Sequence, residues 1–183
     1  MFEARTEQGM PQPGWTALTA PVPALDPVLA TIEAAHPGAT RPGIPAHVTF
    51  LYPFVPLAEL DSATTDRLTA IAARHAPLTL QFDGVRIEPG FVYLDSPLLK
   101  PLTDEIRAQW PELVPYLGRY GSDPVAHLSL AIDVAEQTET LNIATLAASV
   151  LPKAVTIDHL WLAGHDNGEW RTLGRFPFGV ATV

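Results

Sequence analysis

The sequence predicts an α+β protein of two related lobes, with two antiparallel-rich sheets, helices on the outside and a central cleft. Three observations carry that expectation. Short alternating apolar segments are interleaved with longer segments that begin at helix-capping residues. One order of elements occurs twice: helix, proline-rich loop, strand opening with Ala-His, helix, strand, strand. The two Ala-His strands stand at the same place in each copy, which reads as an internal duplication about a pseudo-twofold axis.

Each element has a local reason. Residues 15–20 form a β-like run closed by Pro21 and Pro23. Asp26 can cap a helix with Pro27 in its first turn, running to about His36. The stretch PGATRPGIP is too rich in Pro and Gly for regular structure. AHVTFLYPF is a strand with a proline stop, and Asp61 or Ser62 caps a helix to about Arg74. LTLQFDGVRI and FVYLD pair across EPG. Ser96 caps a helix with Pro97 first, ending near Trp110, and PELVPYLGRYGSDP is a second loop. AHLSLAI is a strand, and residues 138–150 are helical. AVTIDHLWLAG and EWRTLGRFPF form a hairpin about DNG, the strongest turn signal in the chain.

The chain has 183 residues, of which 47% are apolar, enough for one domain with a sizeable core. Residues 1–13 read as a disordered lead-in without signal-peptide order, and 14–183 as a single bilobed domain. No apolar run approaches the ~20 residues of a membrane span. There is no cysteine, so disulfides, thiolate metal sites and cysteine nucleophiles are excluded, and a cytoplasmic location is expected. Net charge is −9, from 11 Lys+Arg against 20 Asp+Glu. A long nucleic-acid groove needs a basic face, so the expected partner is a small nucleotide or an RNA end, and the protein is expected to be a monomer.

The chemistry sits in HVTFL (47–51) and HLSLA (127–131). Strand side chains alternate faces, so His47 and Thr49 share one face while Val48 and Phe50 share the other. Tyr52, by the same alternation, falls with Val48. His127 and Ser129 likewise oppose Leu128 and Leu130. A histidine two residues before a hydroxyl is a weak pattern alone. The matched settings give it weight, and the other four histidines lack the hydroxyl partner. Displacement at phosphorus is in-line, with nucleophile and leaving oxygen on opposite sides. One neutral imidazole can take the nucleophile's proton while the other, protonated, donates to the leaving oxygen. Thr49 and Ser129 can hold the non-bridging oxygens. No cofactor and no metal are needed. For hydrolysis of a cyclic phosphate the expected base is His127 and the acid His47.

GIPAHVTFLYPF and PVAHLSLAI resemble the motifs of the two-histidine (2H) phosphoesterase superfamily, in its 2'-5' RNA ligase-like branch. The resemblance covers nearly the whole chain. It implies the bilobed α+β fold and metal-independent action on 2',3'-cyclic phosphates, 2'-5' linkages or small cyclic-phosphate nucleotides, with ligation as the reverse direction. It places His47 and Thr49 in the first motif and His127 and Ser129 in the second. Ala126, Ser129 and Ile132 stand where the bacterial branch usually has Pro, Thr and Arg. The chain thus lacks a phosphate-binding cation at Ile132.

Other residues carry weaker expectations. Tyr52 and Phe54 can stack on a base, with core packing the default, especially for Phe54. Arg119 and Tyr120 precede the second motif and can supply the missing cation and a base platform. Lys100 and Arg107 read as the solvent face of a helix. Trp161 and Trp170 read as cross-strand packing, and His165 as part of the tight turn. A zinc hydrolase lacks HExxH and a third ligand at usable spacing. A serine hydrolase lacks GxSxG, since Ser122 in YGSDP is not in such an elbow, and no P-loop is present. The rival class is a non-catalytic nucleotide- or RNA-end-binding protein that keeps the cleft.

Overall fold

The computed structural model describes residues 11–41 and 43–179. The expected lead-in therefore lies outside the described residues up to position 10, while Gln12 to Trp15 form a hydrogen-bonded turn tied to the His165 carbonyl.

Among the described residues, nine strands and four helices follow in order: β1 (Thr16–Pro21), α1 (Asp26–Ala35), β2 (His47–Leu51), α2 (Ser62–Arg74), β3 (Leu78–Gln81), β4 (Arg86–Glu88) and β5 (Phe91–Asp95). Then come α3 (Lys100–Gln109), β6 (His127–Ala131), α4 (Gln137–Val150), β7 (Ala154–Ile157), β8 (His159–Asp166) and β9 (Glu169–Pro177). Seven strands form one sheet in the order β4-β5-β6-β2-β1-β8-β9, and β3 and β7 form a second, two-stranded sheet. Every named pairing is antiparallel.

The duplication is visible in this order. Reflecting the large sheet about the β6–β2 seam exchanges β2 with β6, β1 with β5 and β8 with β4, and leaves β9 unmatched. The irregularities repeat as well. The β1–β2 register shifts between Leu18 and Thr19, and the β5–β6 register between Val92 and Tyr93, so that Pro21 pairs with His47 and Asp95 with His127. The repeat thus begins one strand earlier than the sequence pattern indicates. Each half runs strand, helix, histidine strand, helix, strand, strand.

The two halves share the large sheet, so the histidine strands are neighbours with Val48 opposite Leu128, not two strands facing each other across a gap. One face of the sheet is the core. Val48, Phe50, Leu128 and Leu130 are fully buried there with Ile32 of α1 and Leu102 and Ile106 of α3. Helices cross over: α3 packs on β2, α1 on β6, α2 on β8 and β9, and α4 on β4 and β5. Burying a Leu or Phe side chain contributes about 1.5–3 kcal/mol, so this face fixes the register that turns the histidines outward.

Local signals set the element ends. Asp61 caps α2 by accepting from the Thr64 amide at 2.8 Å, as its position predicts. Ser96 accepts from the Leu98 amide in a short 3-10 turn, and α3 proper starts at Lys100. Asp26 is the first residue of α1 rather than its cap, because a 3-10 turn over Pro23–Leu25 precedes it. Its carboxylate instead accepts from the Ala46 amide at 2.7 Å and anchors the entry to β2. The β8–β9 hairpin closes Asp166 on Glu169 through Asn167 and Gly168, with φ of 50° and 83°. That double positive φ is the type I′ turn the DNG signal predicts, and it needs Gly at its second position. His165 is not in the turn; it is a buried β8 residue paired with Trp170, because the loop takes only two residues.

Candidate active site

The open face of the large sheet carries both motifs. Because Val48 pairs antiparallel with Leu128, His47 lies across from Ser129 and Thr49 across from His127. The two imidazoles and two hydroxyls thus occupy the corners of a four-residue patch, each hydroxyl beside the opposite ring. All four are half-buried while their in-between neighbours are buried.

The two rings are held alike. His47 Nδ1 lies 2.8 Å from the Pro45 carbonyl, and His127 Nδ1 lies 2.8 Å from the Val125 carbonyl. A carbonyl oxygen only accepts, so each Nδ1 carries the proton and each Nε2 is left as a base in the neutral ring. Both pKa values lie below the ordinary histidine value, chiefly because burial penalises the charged ring. The contact with a backbone carbonyl opposes this in both. The remaining charges differ. Arg41, then His127, push His47 lower still, whereas Glu88 and Asp95 favour protonated His127 and Arg107 opposes it.

The surrounding shell is aromatic. Phe91 and Tyr93 of β5 stack on each other at 4.8 Å and set their rings 5.3 and 5.4 Å from the His127 ring. Tyr93 pairs with Ser129 across the sheet. Tyr116 lies against Thr49, and its hydroxyl pKa is raised by burial. Tyr52 touches Trp15, Tyr116 and Trp170 edge-on at 5.7–6.1 Å. Alternation placed Tyr52 on the core side; the register shift in β1–β2 and the end of β2 at Leu51 carry its ring instead into this cluster. Among the described residues its buried hydroxyl has no hydrogen-bond partner, and burial pushes its pKa up to about 12. Phe54 is a core residue packed on Trp110.

Arg119 and Tyr120 stand at the margin. Arg119 lies over the Tyr120 ring at 5.6 Å, both are exposed, and Tyr120 joins the cluster through Tyr116 at 5.3 Å. The cation whose charge reaches the first histidine is Arg41, from the loop after α1, which also acts on Tyr52 and Tyr116. Arg107 is not a solvent-face residue. Its side chain is 13% exposed, donates to the Phe50 carbonyl and pairs with Asp123, and its charge acts on His127. Lys100 is exposed and pairs with Asp104, as expected for a helix surface.

Beside His47 lies a cavity of about 270 Å³ lined by Pro21, Gly43, Pro45, Trp161, Trp170, Thr172 and Arg175. Pro21 pairs with His47, and Pro45 supplies the carbonyl that holds its ring. The Trp161 indole donates to Thr172 Oγ1 at 3.0 Å, and Trp170 is braced by Tyr52 and His165. Both tryptophans thus pack across the hairpin and also wall the cavity. Among the described residues, no group of three or more His, Asp or Glu converges as a metal site, and no helix is long and apolar enough to cross a membrane.

Such a patch can hold one tetrahedral anion between two imidazoles, with hydroxyls at its flanks and a cation behind. A family model described as the 2'-5' RNA ligase superfamily matches residues 21–169. Among solved structures, LigT of E. coli complexed with 3'-AMP is 20% identical at a TM-score of 0.55, covering 92% of this chain and 99% of LigT. LigT complexed with NADP+ gives 20% and 0.57 over the same shares. TT0787 of Thermus thermophilus is 17% identical at 0.57, covering 92% of this chain and 100% of its own. No curated protein matches the chain. At these identities the structural likeness establishes the shared fold.

Proposed function

Since this chain belongs to the 2'-5' RNA ligase superfamily, we propose that it is a metal-independent phosphodiesterase acting on a 2',3'-cyclic phosphate, a 2'-5' linkage or a small cyclic-phosphate nucleotide. The observation that carries this reading is the matched pair of rings. His47 and His127 each have Nδ1 tied to the carbonyl two residues back, and so each presents Nε2. A binding cleft needs hydrogen-bond donors; it has no need of two imidazoles fixed in the same tautomer.

In the proposed hydrolysis of a cyclic phosphate, His127 Nε2 takes a proton from the attacking water. Glu88 and Asp95 favour the imidazolium that forms. His47, protonated beside the bound anion, gives its proton to the leaving ribose oxygen, and the field of Arg41 makes it the stronger acid. Thr49 and Ser129 donate to the non-bridging oxygens, and Arg41 stands in for the cation missing at Ile132. The P–O bond to the ribose breaks as the bond to water forms, which leaves a phosphomonoester. With an RNA 5'-hydroxyl in place of water as the nucleophile, the same proton transfers join two RNA ends: the new P–O bond forms as the bond to the ribose oxygen breaks, and His47 protonates that oxygen. Tyr52, Arg119 and Tyr120 flank the substrate rather than the reacting atoms. We place the protein in the cytoplasm as a monomer, in keeping with its cysteine-free composition.

The test is a panel of 2',3'-cyclic nucleotides and 2'-5' dinucleotides assayed in EDTA. Turnover of at least one is expected, falling by about 10²-fold or more in His47→Ala and in His127→Ala. Tight binding without turnover would instead make the protein a nucleotide- or RNA-end-binding module.

A further inference from the structure

We propose that the cavity beside His47 is a nucleoside subsite and that Arg175 recognises a second phosphate, so that the preferred ligand carries a 5'-phosphate on the nucleoside whose 3' end is processed. This rests on the phosphodiesterase reading for what happens at the histidines, but not for binding. The cavity holds about 270 Å³, at the low end for ligand pockets, which suits one nucleoside rather than a longer segment. It adjoins only His47, the side on which the leaving ribose sits in the proposed hydrolysis. Trp170 offers a partly exposed indole held in place by Tyr52 and His165, a stacking surface that need not reorganise.

Charge argues for the second phosphate. Acidic side chains outnumber basic ones by 20 to 11, and half of the ten described cations are ion-paired. Arg74, Arg86, Lys100, Arg107 and Arg171 all meet carboxylates. Among the described residues Arg175 has no ion pair, yet it lines this cavity. Trp161 pairs with Arg175 on one side and Thr19 on the other, and β1 pairs in turn with β2. Arg175 is thus level with Thr49, three strand spacings or on the order of 14 Å away between backbones, and His47 lies two residues further along β2, on the order of 16 Å from Arg175. One nucleotide and an arginine side chain span that distance. A guanidinium left unpaired in an acidic protein, one nucleoside away from the phosphate patch, is placed for a bidentate contact with a second phosphate.

The experiment compares a nucleoside 3',5'-bisphosphate with the 3'-monophosphate by calorimetry, and a 2',3'-cyclic nucleotide with and without a 5'-phosphate in turnover. The 5'-phosphate is expected to tighten binding by about tenfold. In Arg175→Gln that ratio should collapse toward one, whereas Lys153→Gln, a charge loss on the strand-leading loop before β7, should leave it at the wild-type value. Trp170→Leu should weaken both ligands alike. Equal affinity for the two ligands in the wild type, or a ratio that survives Arg175→Gln, overturns the subsite. A preference that depends on Arg175 while neither cyclic nucleotide is turned over sustains the subsite and defeats the catalytic reading instead.

Discussion

At the scale of single residues, the two histidines are nearly equivalent in hydrogen bonding and unlike in field. Both rings titrate below the ordinary value of about 6.5, because burial disfavours their charge. A reaction that needs one neutral and one protonated ring in the free protein should therefore show a bell-shaped kcat/KM with its maximum on the acid side of that value. Removing the positive neighbour in Arg41→Gln should raise the His47 pKa and move the alkaline limb upward, while an unmoved profile would separate Arg41 from the chemistry. Thr49→Ala and Ser129→Ala should each cost on the order of 10² in kcat, the loss seen when one preorganised donor to a developing charge is removed. The four motif residues were legible because strand alternation sorts them from Val48 and Leu128 without knowledge of the fold. Arg41 was not. It sits in PGATRPGIP, where no periodicity says which way a side chain points. Tyr116 was equally hidden: with Leu117 it adopts positive φ, 51° and 55°, in a stretch whose sequence offers no glycine at either place.

At the scale of elements, the β8–β9 hairpin shows sequence determining geometry. Asn167 and Gly168 close it, and the register that follows sets Trp161 opposite Arg175 and His165 opposite Trp170. Gly168→Val forces a β-branched side chain into left-handed backbone at about 1–2 kcal/mol. We expect a lower urea midpoint and, since Trp170 rides on the hairpin, weaker nucleotide binding; an unchanged midpoint would show that the turn adapts. Of the four described helices only α2 starts at a side-chain cap, Asp61; Ser96 caps the 3-10 turn ahead of α3, and no side chain caps α1 or α4. Asp26 is instructive. A side chain that looks like a helix cap serves the next strand, holding the Ala46 amide directly before His47. Asp26→Ala should therefore reduce activity as well as stability, leaving a buried amide without its acceptor. Strand neighbours were the least legible feature. That β2 lies beside β6 depends on partners far apart in sequence, which local patterns do not encode.

For the whole molecule, the depressed histidine pKa values have a consequence for stability. A ring that resists protonation when folded but accepts a proton at about 6.5 when unfolded makes the unfolded state bind more protons below that pH. Stability should thus fall as pH drops from 7.5 to 5.5. The fall should be smaller in a His47→Gln/His127→Gln double variant, and thermal unfolding at the two pH values measures it. Burial alone would raise the Glu105 carboxyl, but Arg74 and His75 together hold it below its usual range, which adds a further loss at lower pH. A phosphate or nucleotide that binds the folded state alone opposes the trend, by about 2.7 kcal/mol at a hundredfold excess over Kd. The expected two-lobed repeat is realised at this scale, in a form its linear pattern did not show: one continuous sheet whose two halves swap helices across the seam. Among the described residues the mirrored strand order has one exception, the outermost β9, which has no twin. A perfectly doubled frame would treat both flanks of a scissile bond as interchangeable. The supernumerary strand breaks that parity, and it does so away from the reacting groups. On the subsite proposed above, ligand choice has its own address in the polypeptide, and grafting this ribbon between relatives should redirect such a scaffold while the proposed proton-transfer machinery stays as it was.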